Sequence, residues 1–113
     1  MEAENYWGNV EYKREFINMT SEKIKKYATQ LKFRIIEGFG TCVYIIGVLD
    51  NGKVVGIKKQ NISEHKSIMN KICNEINAFV NSEKVIDINN ENKLLIYVLK
   101  NKFNIEDIVY LNG

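Results

Sequence analysis

Proline is absent from the 113 residues, histidine and tryptophan occur once each, and cysteine occurs twice. The lone His65 has no Cys, Ser or Asp at a spacing that completes a local catalytic dyad. Without a Cys/His cluster there is no zinc-binding pattern either. No apolar run approaches the roughly 20 residues that a membrane span needs. The opening MEAENYWGN is acidic and polar, which is not the pattern of a secretory signal peptide. No GxxxxGK(S/T) motif occurs, so phosphate-loop chemistry is not expected, although IEDIVYLNG near the end reads as an apolar strand closed by glycine. The missing proline goes with abundant Asn, Ile and Lys and reads as compositional bias. An apolar fraction of 45% is too high for an unfolded chain.

What is present fits one domain spanning residues 1 to 113, because single cores are typically built from roughly 100 to 150 residues. Cys42 lies in an apolar run and Cys73 in a helical pattern, so both read as buried thiols of a protein in a reducing compartment, expected to be the cytoplasm. The net charge of +2 is small, but it is unevenly spread. Residues 11 to 34 hold seven Lys/Arg against three Asp/Glu, and residues 53 to 71 hold five against one. The other segments are net acidic. Two basic blocks on an otherwise acidic chain favour a polyanionic partner if they meet in space, and are two solvated helix faces if they do not.

Alternation of apolar and polar residues over Tyr6 to Ile17 predicts a half-buried strand. Thr20 or Ser21 caps a helix over Ser21 to Glu37, with Gly38 as its stop. On that helix Ile24, Tyr27, Ala28, Leu31 and Ile35 share an arc of about 100° and form the core stripe. Phe33 lies roughly opposite, among lysines, where an aromatic ring can stack on a base. Thr41 to Leu49 and Lys53 to Ile57 read as a hairpin joined at Asp50-Asn51-Gly52, with a type I′ turn at Asn-Gly. Asn61 and Glu64 form a capping-box pattern for a second helix running to about Asn81. Lys84 to Ile88, Lys93 to Leu99 and Ile105 to Leu111 read as short strands. The fold class is therefore α+β, in the order β α β β α β β β, with two helices against a mixed or antiparallel sheet of about five to six strands.

Candidates for chemistry are few. His65 sits at the edge of the second helix's apolar stripe and reads as a packing residue. Glu106-Asp107 and Glu11 with Glu15 are acidic pairs, and Glu11, Glu15 and Glu37 are the residues that a metal-dependent nuclease would use if they converged. Gly38-Phe39-Gly40 follows a helix and precedes a strand, the reverse of a phosphate cradle, and reads as punctuation. No cofactor, metal or small-molecule substrate is expected.

Three stretches carry a resemblance: NVEYKREFIN at Asn9 to Asn18, TQLKFRIIEGFG at Thr29 to Gly40, and YIIGVLDNGKVVGI at Tyr44 to Ile57. Together they resemble the amino-terminal domain of the translational GTPases called GTP-binding proteins 1 and 2, without the GTPase domain. A stand-alone version of that domain is similar to the ribosome dormancy factors of microsporidia. That resemblance implies a non-catalytic factor, monomeric when bound, that sits on rRNA and small-subunit proteins at the exit-tRNA site and blocks tRNA passage during hibernation. A related hairpin occurs in Schlafen-type RNA-processing nucleases, and an isolated interaction domain of a translational GTPase is a further reading. The contact residues expected are Lys13 and Arg14 of the first strand, Lys25, Lys26, Lys32, Phe33 and Arg34 of the first helix, and Lys58 and Lys59 after the hairpin. Phe33 and Arg34 match the aromatic residue and the arginine of the family pattern.

Overall fold

A computed structural model describes residues 1–5 and 8–102. The elements are β1 (Val10–Lys13), α1 (Ser21–Glu37), β2 (Thr41–Ile46), β3 (Ile57–Lys58), α2 (Ile62–Asn74), β4 (Ala78–Asp87) and β5 (Asn92–Asn101), with a single 3-10 turn, Lys59–Asn61, leading into α2. The α+β class holds: among the described residues two helices pack against one mixed sheet of five strands. The strand expected over Ile105 to Leu111 lies outside the described residues.

β1 and β2 pair in parallel, with α1 as the crossover between them. β5 runs antiparallel to β2 on one side and to β4 on the other. β3 takes over from β2 along the same side of β5, pairing Ile57 with Lys93 and Lys58 with Asn92. Both helices cover one face. Cys42, Tyr44 and Ile46 of β2 and Leu95, Tyr97 and Leu99 of β5 alternate inward, meeting Leu31 and Ile35 of α1 and Met69, Ile72 and Cys73 of α2. This is the main core. Tyr12, Val48 and Leu94 form a smaller cluster with Ile45.

One row crosses the core face of the sheet: Glu11, Tyr44, Tyr97 and Glu83 are successive register partners. The hydroxyls of Tyr44 and Tyr97 and Oε2 of Glu83 are buried and make no hydrogen bond among the described residues. Burial, and then the neighbouring Glu83, push the Tyr97 phenol upward. Glu83 stands near enough to act on it electrostatically, yet the two do not reach hydrogen-bond geometry.

α1 has the bounds that its sequence signals predict. The Thr20 side chain accepts from Lys23 N–H at 3.2 Å, as a cap should. Its C-terminus differs in one detail. Gly40 N–H donates to Ile35 O at 2.9 Å and Phe39 N–H to Ile36 O at 3.2 Å, the two bonds of a Schellman motif. The left-handed residue of that motif is Phe39, with φ 53°, and not Gly38, whose φ is −94°. Glycine at 38 has another cause: a Cβ there would lie 1.9 Å from Thr41 O and 2.7 Å from Asn9 Cβ.

Other expectations need correction as well. The hairpin turn is not type I′, because Asn51 lacks a positive φ and only Gly52, at 90°, has one. Gly52 N–H donates to Leu49 O at 2.8 Å and Leu49 N–H to Lys53 O at 2.9 Å, closing a three-residue loop with glycine in the left-handed position. Residues 53 to 57 are consequently not a full strand; Val48 and Val54 form an isolated bridge, and pairing resumes at Ile57. The capping box is also absent, since Asn61 makes no side-chain cap bond. α2 also stops at Asn74 rather than about Asn81: Asn77 takes φ 56°, which a helix cannot continue through, and Phe79 and Val80 belong to β4, which starts at Ala78 rather than at Lys84. Strand β1 is shorter than the alternation suggested, Val10–Lys13 within Tyr6 to Ile17.

Candidate nucleic-acid interface

The outer face of α1 carries Lys25, Lys26 and Lys32, all exposed, and Phe33, with 62% of its surface open. The three lysines make no ion pair among the described residues. An exposed ring on the same solvent-facing side of a helix as exposed lysines suits a ligand that offers both flat apolar faces and negative charge. Ile36, a turn further on, extends the exposed stripe.

Arg34 does not belong to this face. It is 9% exposed, with Nε donating to Glu11 Oε2 at 2.9 Å and Nη2 at 2.8 Å from the same oxygen. Nη1 donates to Gly8 O at 2.8 Å and Nη2 to Asn5 O at 3.1 Å. The physical reason is helical geometry: a 100° step from Phe33 turns the guanidinium toward β1, where Glu11 waits. Glu4 joins this cluster, 3.9 Å from Nη2, and accepts a hydrogen bond from Tyr12 N–H. Burial raises the Glu4 carboxyl above its ordinary value, the Tyr12 N–H opposes that, and Glu11 adds to it. Arg34 is thus a clamp that ties the N-terminal segment and β1 to α1.

Lys13 is similarly engaged. Its Nζ lies 3.3 Å from Glu11 Oε1, donates to Gln30 Oε1 at 3.1 Å and sits 4.4 Å from the Tyr27 ring centroid. Arg14, the next residue, faces solvent beside Val48, Leu49, Asp50 and Asn51. Lys58 and Lys59 are exposed where β3 joins β5, at the end of β5 away from Lys100. The nine expected contact residues therefore fall into separate groups, and only Lys25, Lys26, Lys32 and Phe33 share one face of one element.

The acidic residues do not assemble either. Glu11 is taken by Arg34 and Lys13, and Glu37 Oε2 accepts from Gly8 N–H. Among the described residues no three His, Cys, Asp or Glu side chains come together in a way that could hold a metal ion. The convergence of Glu11, Glu15 and Glu37 that a nuclease requires is not formed. His65 is buried with both ring nitrogens engaged: Phe16 N–H donates to Nε2 at 3.0 Å, so the proton is on Nδ1, which donates to Asn61 O at 2.7 Å. Its ring stacks on Phe16, a packing role. Among the described residues no helix is long and apolar enough to cross a membrane.

Sequence reasoning did not single out the exposure of Phe39, 91% open, or of Phe79, Lys100 and Lys102. The available signal was the aromatic between two glycines, which reads as punctuation only if its side chain is ignored.

Comparison with known proteins gives a partial match. Over 77 residues, 68% of this chain, the sequence is 35% identical to GTP-binding protein 2 of Mus musculus and, equally, of Homo sapiens. Part of this chain resembles part of a GTP-binding protein. The matched stretch is 12% of GTP-binding protein 2. An uncharacterized protein of Acanthamoeba polyphaga mimivirus is 35% identical over 112 residues, 98% of this chain and 58% of the viral protein. The chain thus spans 12% and 58% of these relatives' lengths. No family model matches. No solved structure matches.

Proposed function

We propose that this chain is a non-catalytic docking domain, of the kind that forms a small part of GTP-binding protein 2, and that its target is structured RNA of the ribosome. The observation that carries the reading is the outer face of α1, with exposed and unpaired Lys25, Lys26 and Lys32 around the exposed Phe33. Lysines on such a face displace counterions from phosphates, so affinity depends steeply on salt. Occupying a tRNA site, the exit site of the small subunit in the finer form of the reading, would silence translation without turnover. The domain would then act as a dormancy factor in the cytoplasm. The 35% identity to GTP-binding protein 2 supports a docking role more directly than it supports hibernation.

The test is co-sedimentation with purified ribosomes across a salt series. The parent chain should pellet with ribosomes at low salt and be released at high salt. Replacing Lys25, Lys26 and Lys32 together with Glu should abolish binding, while the circular dichroism spectrum stays unchanged because all three side chains face solvent. Ribosome binding that survives this triple reversal would sink the assignment of the surface. Arg34 is unsuited to the test, since its loss unsettles the fold itself.

A further inference from the structure

Where α1 ends, the chain does something that neither packing nor local geometry requires. The left-handed position of a Schellman motif is usually glycine, because a bulky L residue there costs on the order of 1 kcal/mol. This chain puts Phe39 there, at φ 53°, between Gly38 and Gly40, and leaves its ring 91% exposed. Among the described residues the ring joins no hydrophobic cluster.

Among the described residues its surroundings combine exposed apolar side chains with lysines. Phe33 and Ile36 are exposed on the last turns of α1, and Lys32, one residue before Phe33, is also exposed. Asn101 N–H donates to Gly40 O at 3.1 Å, which brings the end of β5, with the exposed Lys100 and Lys102, alongside the turn. Phe79, half-exposed, is the register partner of Lys100. Among the described residues, Glu37 at the end of α1 accepts from Gly8 N–H. Rings interrupted by ammonium groups are poorly suited to an apolar protein partner, which favours a continuous patch depleted of lysine. They match a strand that alternates flat bases with phosphates.

We infer that this end of the molecule is a stacking site for an unpaired nucleotide of RNA, with Phe39 supplying the ring face and Lys32, Lys100 and Lys102 holding the flanking phosphates. The inference rests on the RNA-binding reading above and narrows it from structured RNA in general to an unpaired nucleotide within it.

The experiment compares two RNA probes of equal length, a stem-loop and a blunt duplex, titrated into the full chain at fixed low salt. Phe39→Gly removes the ring and relieves the left-handed strain, so its melting temperature should equal or exceed the parent's, and a folding defect cannot mimic the result. Its affinity for the stem-loop should fall roughly tenfold, since base–aromatic stacking is worth about 1–3 kcal/mol, while duplex affinity is unchanged. Phe39→Trp should keep stem-loop affinity and show indole quenching by the loop beyond that of Trp7. If Phe39→Gly binds the stem-loop as tightly as the parent, the stacking site is wrong while the RNA reading survives. If the parent binds neither probe, both fall. A Phe39→Gly chain with full stem-loop affinity that no longer associates with rRNA-free ribosomal proteins would assign the ring to a protein contact and overturn the inference.

Discussion

Phe33 and Arg34 are adjacent in sequence and opposite in use. A helical wheel is enough to place Phe33 outside the core, and there it is. The same wheel cannot reveal that β1 will bring Glu11 to the other flank, because that contact spans 23 residues and depends on the parallel pairing of β1 with β2. Arg34 therefore reads as a surface cation and is in fact a buried clamp. Replacing it with Ala would leave Glu11 buried with Lys13 as its remaining partner and free the carbonyls of Asn5 and Gly8. Loss of one member of a buried pair typically costs about 3–5 kcal/mol. Urea unfolding of Arg34→Ala should show a loss of that size, with Arg34→Lys in between because an ammonium cannot reproduce the planar, multiply donating fork. A loss under about 1 kcal/mol would mean that the clamp contributes little.

Elements were legible where local signals and tertiary context agree. α1 begins at Ser21 and ends at Glu37 because Thr20 caps it and the Gly38–Gly40 segment stops it, all within one stretch of chain. α2 is the opposite case. Ile76, Phe79 and Val80 continue a helical spacing, but the same residues also suit a strand entering the sheet, and Asn77 decides by adopting a positive φ. The hairpin at Asp50 to Gly52 shows a finer ambiguity, since Asn-Gly serves both a two-residue turn and a three-residue loop. The observed loop makes a distinguishing prediction. Gly52→Ala should be clearly destabilising, because φ is 90° and a Cβ would lie 2.0 Å from Met1 O. Asn51→Ala should cost less, about 0.5–1.5 kcal/mol for the single bond that Asn51 Oδ1 accepts from Lys53 N–H. Equal and large losses in thermal unfolding would restore the type I′ turn.

For the whole molecule, the sheet and its helical cover follow from strand alternation and two amphipathic helices. The sheet order, with β5 between β2 and β4, could not be read because it is set by long-range pairing. Composition did foretell the fate of the cysteines. Burial pushes the Cys42 thiol up, with Glu11 adding to the effect, and pushes Cys73 up to about 12. Both should resist iodoacetamide at neutral pH in the native protein and react at once in urea, as mass spectrometry would read. A raised acid stabilises the fold below its unfolded value and withdraws that support as pH climbs toward the folded one. For Cys73 the window runs from 9.0 to about 12, so the melting temperature should fall across it and fall less in Cys73→Ala. The turn at Phe39 has a consequence on a longer clock. Stability favours glycine there and nothing in the interior resists it, so a lineage released from whatever the ring touches should drift to glycine at that codon. Residue 39 would then sort relatives that still make the contact from those that have abandoned it.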